Sequence, residues 1–162
     1  MNEISIMKQL DHQNVMKLFE VHESQNSVYL ILELLEGGEL LDYISKKKGT
    51  MKSSEYKHIM CSILRALKYM GEKNIMHRDL KPENMILKNK SKLDWQDSIE
   101  ENELKIVDFG LATEADVVEY LFKRCGTPGF VAPEVVNAPS EGNIRYSPKC
   151  DVFSAGIIFY LM

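Results

Sequence analysis

Cysteine is scarce in this sequence. Cys61, Cys125 and Cys150 are far apart, odd in number, and never fall at metal-ligand spacing. Such usage argues against a disulfide framework or a zinc-type site and fits a reduced, intracellular chain. No apolar stretch of signal-peptide length lies between Met1 and His12. The longest apolar run, Val152 to Met162, is too short to span a bilayer, so no membrane association is expected. Positive charge is not in excess: 20 Lys and Arg stand against 24 Asp and Glu, for a net charge of -4. That balance excludes a nucleic-acid binder held by bulk positive charge. The short run Lys46-Lys47-Lys48 reads as a solvated loop or helix end. No internal repeat or low-complexity tract is present.

What is there fits one soluble globular domain. The 162 residues are 44% hydrophobic and 27% charged, enough to bury a core. Ile4, Met7 and Leu10 recur at helical spacing after Asn2 and Glu3. Val15 to Val21 and Val28 to Leu32 read as two strands, joined by the polar stretch His22 to Ser27. Gly37-Gly38 breaks the pattern, and Leu40, Leu41 and Ile44 predict a short helix ending near Gly49. A long helix is predicted from Ser53 or Ser54 to about Gly71. Ile59, Ile63, Leu67 and Met70 form its stripe, flanked by Leu64, and Glu55 sits in its first turn. Ile75-Met76, Met85 to Leu87 and Leu104 to Val107 read as brief strands. Asn89 to Glu103, with the single tryptophan Trp95, reads as a long surface loop. Val152 to Met162 reads as a buried helix.

The strongest signal is His77-Arg78-Asp79-Leu80-Lys81-Pro82-Glu83-Asn84. Asp108-Phe109-Gly110 begins 24 residues after Asn84, and Gly126-Thr127-Pro128-Gly129-Phe130-Val131 ends 21 residues after Gly110, followed by Ala132-Pro133-Glu134. One triplet alone means little; three blocks in order, with short strands between them, leave chance negligible. This order resembles the eukaryotic protein kinase family across essentially the whole chain. The implied fold is α+β and protein-kinase-like. Residues 1–162 would be an incomplete kinase domain, with 1–32 a remnant of the small lobe, 33–38 the hinge and 39–162 part of the large lobe.

The resemblance implies roles residue by residue. Phosphoryl transfer needs charge neutralisation and an aligned attacking oxygen more than covalent help. Asp79 would orient the substrate hydroxyl and accept its proton; its bland alternative is a turn or cap aspartate. Lys81 would steady the γ-phosphate, and its place two residues after Asp79 resembles the serine/threonine branch. Asn84 and Asp108 would hold Mg2+ through hard oxygen ligands. Thr127 would contact Asp79 and Lys81. His77 and Phe109 would join an apolar stack with Met7 and Leu18, and Asp151 would hydrogen-bond the catalytic-loop backbone. On the ATP side, the backbone of Glu33 and Leu35 would bond adenine, with Leu32 as gatekeeper, Ile86 beneath the ring and Glu39 at the ribose. Glu3 would pair with a phosphate-binding lysine.

The sequence departs from the family in several ways. No glycine-rich loop or Val-Ala-Ile-Lys-like strand precedes Glu3, and Phe153 stands where many kinases have tryptophan. The reading favours a piece of a longer kinase, truncated at both ends, over a short protein that lost activity. The alternative function is a catalytically inactive, kinase-like scaffold module. Glu39 and Glu83 match acidic positions that receive an arginine three residues before the acceptor. With the run Cys125 to Glu134, they resemble the calcium/calmodulin-dependent kinase group, so protein Ser/Thr substrates are the implied partners. Lys123 stands where many relatives carry a phosphorylated threonine. Arg78 is therefore expected either to leave activation to another route or to pair with Glu114, Asp116 or Glu119.

Overall fold

The computed structural model describes residues 2–90, 99–117, 122–139 and 146–162. Helix α1 spans Asn2–Met7. Its inward positions are Ile6 and Met7, with Leu10 buried just beyond its end. Strands β1 (Leu18–Glu23) and β2 (Val28–Leu32) form an antiparallel hairpin. β2 has the predicted limits, but β1 starts later than its apolar run. Val15 is buried elsewhere: it bridges to Ile106, Met16 N–H donates to Ile106 O at 2.9 Å, and Ile106 N–H donates to Asn14 O at 2.9 Å. Apolar character at Val15 thus reports burial against Ile106 in the body of the fold rather than pairing within the β1–β2 hairpin.

Helices α2 (Leu40–Lys47) and α3 (Ser53–Glu72) follow as expected. α3 is the central element, packed against the helix Lys149–Leu161 and the short strands Ile75–Met76 and Leu104–Ile106. Its stripe of Ile59, Ile63, Leu67 and Met70 is buried together with Ala66, because residues three and four apart share one helix face. Leu64 falls off that face and is 46% exposed. Glu55 does more than complement the helix dipole. It is buried, accepts Lys52 N–H at 2.6 Å and Lys47 Nζ at 3.2 Å, and receives the Tyr43 hydroxyl, so it pins α2 to α3.

The remaining strands are short and antiparallel: β3 (Ile75–Met76) with β6 (Thr113–Glu114), and β4 (Met85–Leu87) with β5 (Leu104–Ile106). With α4 (Pro133–Val136) and α5 (Lys149–Leu161), the fold is α+β, with three separate two-stranded sheets among the described residues. The stretch Asn89 to Glu103 is not all surface loop. Ile99–Glu101 form a 3-10 turn packed on α3, with Ile99 buried; Trp95 lies outside the described residues.

α5 is a helix as expected and is buried on one side. Its buried residues are Cys150, Asp151, Ser154, Ala155 and Ile158, whereas Val152, Phe153, Phe159, Tyr160 and Leu161 are exposed. A helix apolar nearly all round has no preferred face by hydropathy. Hydrogen bonds choose the face instead: Asp151 reaches the residue 77–78 backbone, and Ser154 Oγ donates to Phe130 O at 2.8 Å. No helix among the described residues is long and apolar enough to cross a membrane.

The α3 stripe supplies a direct comparison in thermal unfolding. Ile63→Ala is expected to cost about 2–5 kcal/mol, and the neighbouring Leu64→Ala under about 1 kcal/mol. Equal costs would contradict the assigned face.

Candidate active site

The segment from His77 to Asn84 leaves β3 and enters β4 through a 3-10 turn, Pro82–Asn84. It is fixed from below by Asp151. Both carboxylate oxygens of this buried residue accept backbone N–H groups, from His77 at 2.7 Å and Arg78 at 2.9 Å. Burial pushes the Asp151 pKa up, against the opposing pull of His77 and Arg78. The His77 ring meets the Phe109 ring edge-on, with centroids 5.0 Å apart. His77 Nε2 is 2.9 Å from Val107 O, and Val107 N–H donates to Asn84 O at 3.0 Å. The loop and the Asp108 segment are thereby tied together on both sides.

Two residues here have left-handed backbone, Arg78 at φ 68° and Asp108 at φ 62°. That conformation is uncommon without glycine and clusters at functional sites. Gly126 has φ 106°, and a Cβ there would sit 2.6 Å from Arg78 O. Only glycine lets the two backbones approach so closely, and the approach delivers Thr127 to the loop.

Around Asp79 the expected partners converge. Thr127 Oγ1 donates to Asp79 Oδ1 at 2.7 Å, and Lys81 Nζ lies 2.9 Å from Thr127 Oγ1 and 3.2 Å from Asp79 Oδ2. Asn84 Nδ2 donates to Asp79 O at 2.9 Å and Oδ2 at 3.3 Å. Burial raises the Asp79 pKa, but bonds from Thr127 and Lys81 outweigh it and hold the carboxyl below its usual range. Asn84 has spent its amide nitrogen on Asp79, and its Oδ1 makes no hydrogen bond among the described residues. Asp108 is exposed and, among the described residues, accepts only Gly110 N–H, at 3.2 Å on Oδ1. Two hard oxygen donors therefore stand available on adjoining strand ends. No cluster of three or more His, Cys, Asp or Glu that could hold a metal occurs among the described residues. This donor set fits Mg2+, which takes one or two protein oxygens and completes its shell with phosphates and water.

Residues 36–39 lie against β4. Gly37 N–H donates to Leu87 O at 2.8 Å, Leu87 N–H to Gly38 O at 3.0 Å, and Glu39 bridges to Ile86. A Cβ on Gly37 would come within 2.5 Å of Leu87, so glycine is needed for this contact. Glu39 and Ile86 are thus neighbours. Leu32 ends β2, half-buried against the core, and Leu35 is half-buried beyond it. Among the described residues, Glu33 C=O and both backbone groups of Leu35 make no hydrogen bond. They fit the backbone edge that an adenine requires. Glu3, on α1, makes no ion pair among the described residues; its neighbour Asn2 bonds Ala112 O at 2.7 Å, next to the Asp108 segment. Glu83 has a buried Oε2 with no hydrogen-bond partner among the described residues.

Three features escaped sequence reasoning. The Glu33 carboxylate turns onto Lys105, 3.0 Å away; the signal was a lysine inside the apolar run of β5. Arg78 donates through Nε to Leu111 O at 2.7 Å, and through Nη1 to Phe122 O at 2.6 Å and the Tyr146 hydroxyl at 2.9 Å. Of the acids expected near Arg78, Glu114 accepts from Gln9 at 2.8 Å, Asp116 accepts from Asn74, and Glu119 lies outside the described residues. Tyr146 left no sequence signal for its role. The third feature is the close approach at Gly37.

Comparison with known proteins identifies the family. The family model for the protein kinase domain matches residues 1–162. Calcium-dependent protein kinase 5 of Plasmodium falciparum (isolate 3D7) is 41% identical over 160 residues, covering 99% of this chain and 26% of that protein. Calcium-dependent protein kinase 3 of Plasmodium yoelii yoelii is 43% identical over 161 residues, covering 99% and 27%. Calcium-dependent protein kinase 4 of Plasmodium berghei (strain Anka) is 36% identical over 162 residues, covering 100% and 28%. The chain spans about a quarter of the length of these relatives. On its motifs, its fold and these matches, the chain belongs to the protein kinase family, within the calcium/calmodulin-dependent kinase-like group of eukaryotic serine/threonine kinases.

Proposed function

We propose that this chain carries the catalytic centre of a serine/threonine kinase that transfers the ATP γ-phosphate to protein hydroxyls, preferring substrates with arginine three residues before the acceptor. The observation that carries the reading is the convergence of Thr127, Lys81 and Asn84 on the Asp79 carboxylate. Residues 33–38 act as the hinge between a small lobe, 1–32, and a large lobe, 39–162. Bound Mg-ATP supplies the transferable phosphoryl group and the metal charge that neutralises it. Asp79 orients the substrate hydroxyl and takes its proton, and Lys81 presents a cation to the transferring group. Asn84 Oδ1 and the Asp108 carboxylate ligate metal. Glu33 C=O and Leu35 would hold the adenine edge, Leu32 and Ile86 would line its ring, Glu39 would meet the ribose, and Glu3 would pair with a phosphate-binding lysine.

The substrate preference rests on Glu83. A buried carboxylate oxygen without a partner costs free energy unless something satisfies it. A guanidinium from the substrate does so with two parallel donors. Glu39, exposed at the start of α2, adds negative charge nearby.

The test is phosphate transfer by the full-length protein to a peptide array. Arg-x-x-Ser/Thr peptides are expected to lead, Asp79→Asn to cut kcat by roughly 10²–10⁴-fold, and Glu83→Gln to raise the KM of arginine peptides only. A proline-directed or acidic preference overturns the substrate assignment, and an active Asp79→Asn overturns the catalytic one.

The pH profile tests the bonds at Asp79 separately. Its depressed pKa keeps the carboxylate charged to lower pH than an ordinary aspartate. Removing the Thr127 donor raises that pKa, so protonation sets in at higher pH. Thr127→Ala should therefore move the acid limb of kcat/KM upward in pH, while Thr127→Ser leaves it in place. An unmoved limb in Thr127→Ala contradicts the role of this bond.

A further inference from the structure

Four charged side chains gather behind residues 33–38, where the catalytic chemistry does not use them. Lys105 Nζ lies 3.0 Å from Glu33 Oε1 and 3.4 Å from Glu103 Oε2. Lys88 Nζ lies 3.6 Å from Glu33 Oε1 and 3.1 Å from Glu103 Oε2. The signs alternate around the quartet, so every contact is attractive and the net charge is zero. Exposed ion pairs contribute little, and Lys88 and Glu103 are 38% and 32% exposed, but the Lys105–Glu33 pair at the centre of the quartet is buried. The side chain of Lys105 is 6% exposed and that of Glu33 12%. An ammonium so buried is costly unless carboxylates neutralise it, and Glu33 and Glu103 supply them.

The quartet connects three parts of the molecule. Lys105 belongs to β5, three residues before Asp108. Glu33 begins the segment whose backbone is left open for adenine, and its Oε2 also accepts Lys17 N–H at 3.3 Å. Lys88 and Glu103 close the two ends of the intervening segment. Lys88 N–H donates to Glu103 O at 2.9 Å, Asn89 N–H donates to Asn102 Oδ1 at 2.9 Å, and Asn102 Nδ2 donates to Asn89 O at 2.7 Å. Lys88 also grips the hinge through its backbone, its C=O accepting Glu36 N–H at 2.9 Å.

We infer that Lys105, Glu103 and Lys88 are positioning residues for the nucleotide: the two lysines neutralise and hold the Glu33 carboxylate, Glu103 holds the lysines in place, and together they fix the direction in which Glu33 C=O and Leu35 face the adenine. The inference rests on the kinase reading for its ligand, but the clamp itself is a property of the chain. Loss of these side chains removes preorganised binding shared by ground and transition states, which changes KM and spares kcat.

The experiment compares Lys105→Met, Lys105→Arg and Glu103→Gln in the full-length protein. Glu103, one-third exposed, keeps the test open if Lys105→Met fails to fold. Three readouts are taken: ADP binding by calorimetry, kcat and KM for ATP, and hydrogen exchange of the peptide spanning 33–38 without nucleotide. Expected are a rise in ADP Kd and ATP KM on the order of ten-fold in Lys105→Met, a smaller rise in Glu103→Gln, and kcat within about two-fold. Exchange at 33–38 should quicken in both, and Lys105→Arg should restore all three. Lys68→Met, which removes an exposed lysine from its i,i+4 pair with Glu72 on α3, should change none of them. Unchanged binding and exchange in both breaking variants overturn the inference. So does faster exchange spread evenly over α3 and the hinge, which marks general destabilisation. Faster exchange confined to 33–38 in a protein whose parent form binds no ADP upholds the clamp and overturns the kinase reading instead.

Discussion

Asp151 is 1% exposed, and its two carboxylate oxygens receive the backbone N–H groups of consecutive residues, His77 and Arg78. Two N–H groups pointing to one carboxylate force the chain to turn sharply between them, and Arg78 accordingly adopts φ 68°. The strain is tolerable because the carboxylate is buried, fixed in α5, and strengthened as an acceptor by its low-dielectric surroundings. Everything nearer the chemistry inherits its position from this turn. Arg78 C=O sets how close Gly126 must come, and Gly126 delivers Thr127. The turn also aims Asp79 at Lys81 and Asn84, so a residue that touches no reactant determines the geometry of those that would.

The site shows a division of labour between strain and charge. Backbone in the left-handed region appears at Arg78 and Asp108, at the two ends of the arrangement. Between them, Asn84 C=O and His77 Nε2 grip Val107, locking the loop to the Asp108 segment. Charge is kept where it is needed by opposing burial: Asp79 is partly desolvated, yet its donors hold it ionised. Arg78 shows another economy. Its guanidinium spans from Leu111 to Phe122 and Tyr146, joining the stretch after Asp108 to the segment that carries Thr127.

Much of this was legible because the chemistry dictates residue type at fixed separations. Asp79, Lys81, Asn84, Asp108 and Thr127 stood out by identity and order, and the structure gathers the first three and Thr127 into direct contact, with Asp108 joined through Val107. The long helix was legible too, since a stripe at 59, 63, 67 and 70 has one interpretation. Other elements were not. Val15 is apolar because it is buried against β5, and apolarity alone does not separate that from pairing within the β1–β2 hairpin. The inward face of α5 is chosen by two polar residues, Asp151 and Ser154, against a hydropathy pattern with no preferred side. The Glu33–Lys105 pair joins residues far apart in the chain, and neither has a local pattern that announces the other.

One role stands above the others for testing: the metal that Asn84 and Asp108 would present to a nucleotide lying against residues 33–39. Calorimetric titration of ADP with and without Mg2+ tests it most directly, on the parent protein and on Asp108→Asn. The account predicts that Mg2+ tightens ADP binding in the parent and that this increment vanishes in the variant, while metal-free ADP binds both alike. Retention of the full Mg2+ increment by Asp108→Asn would contradict it.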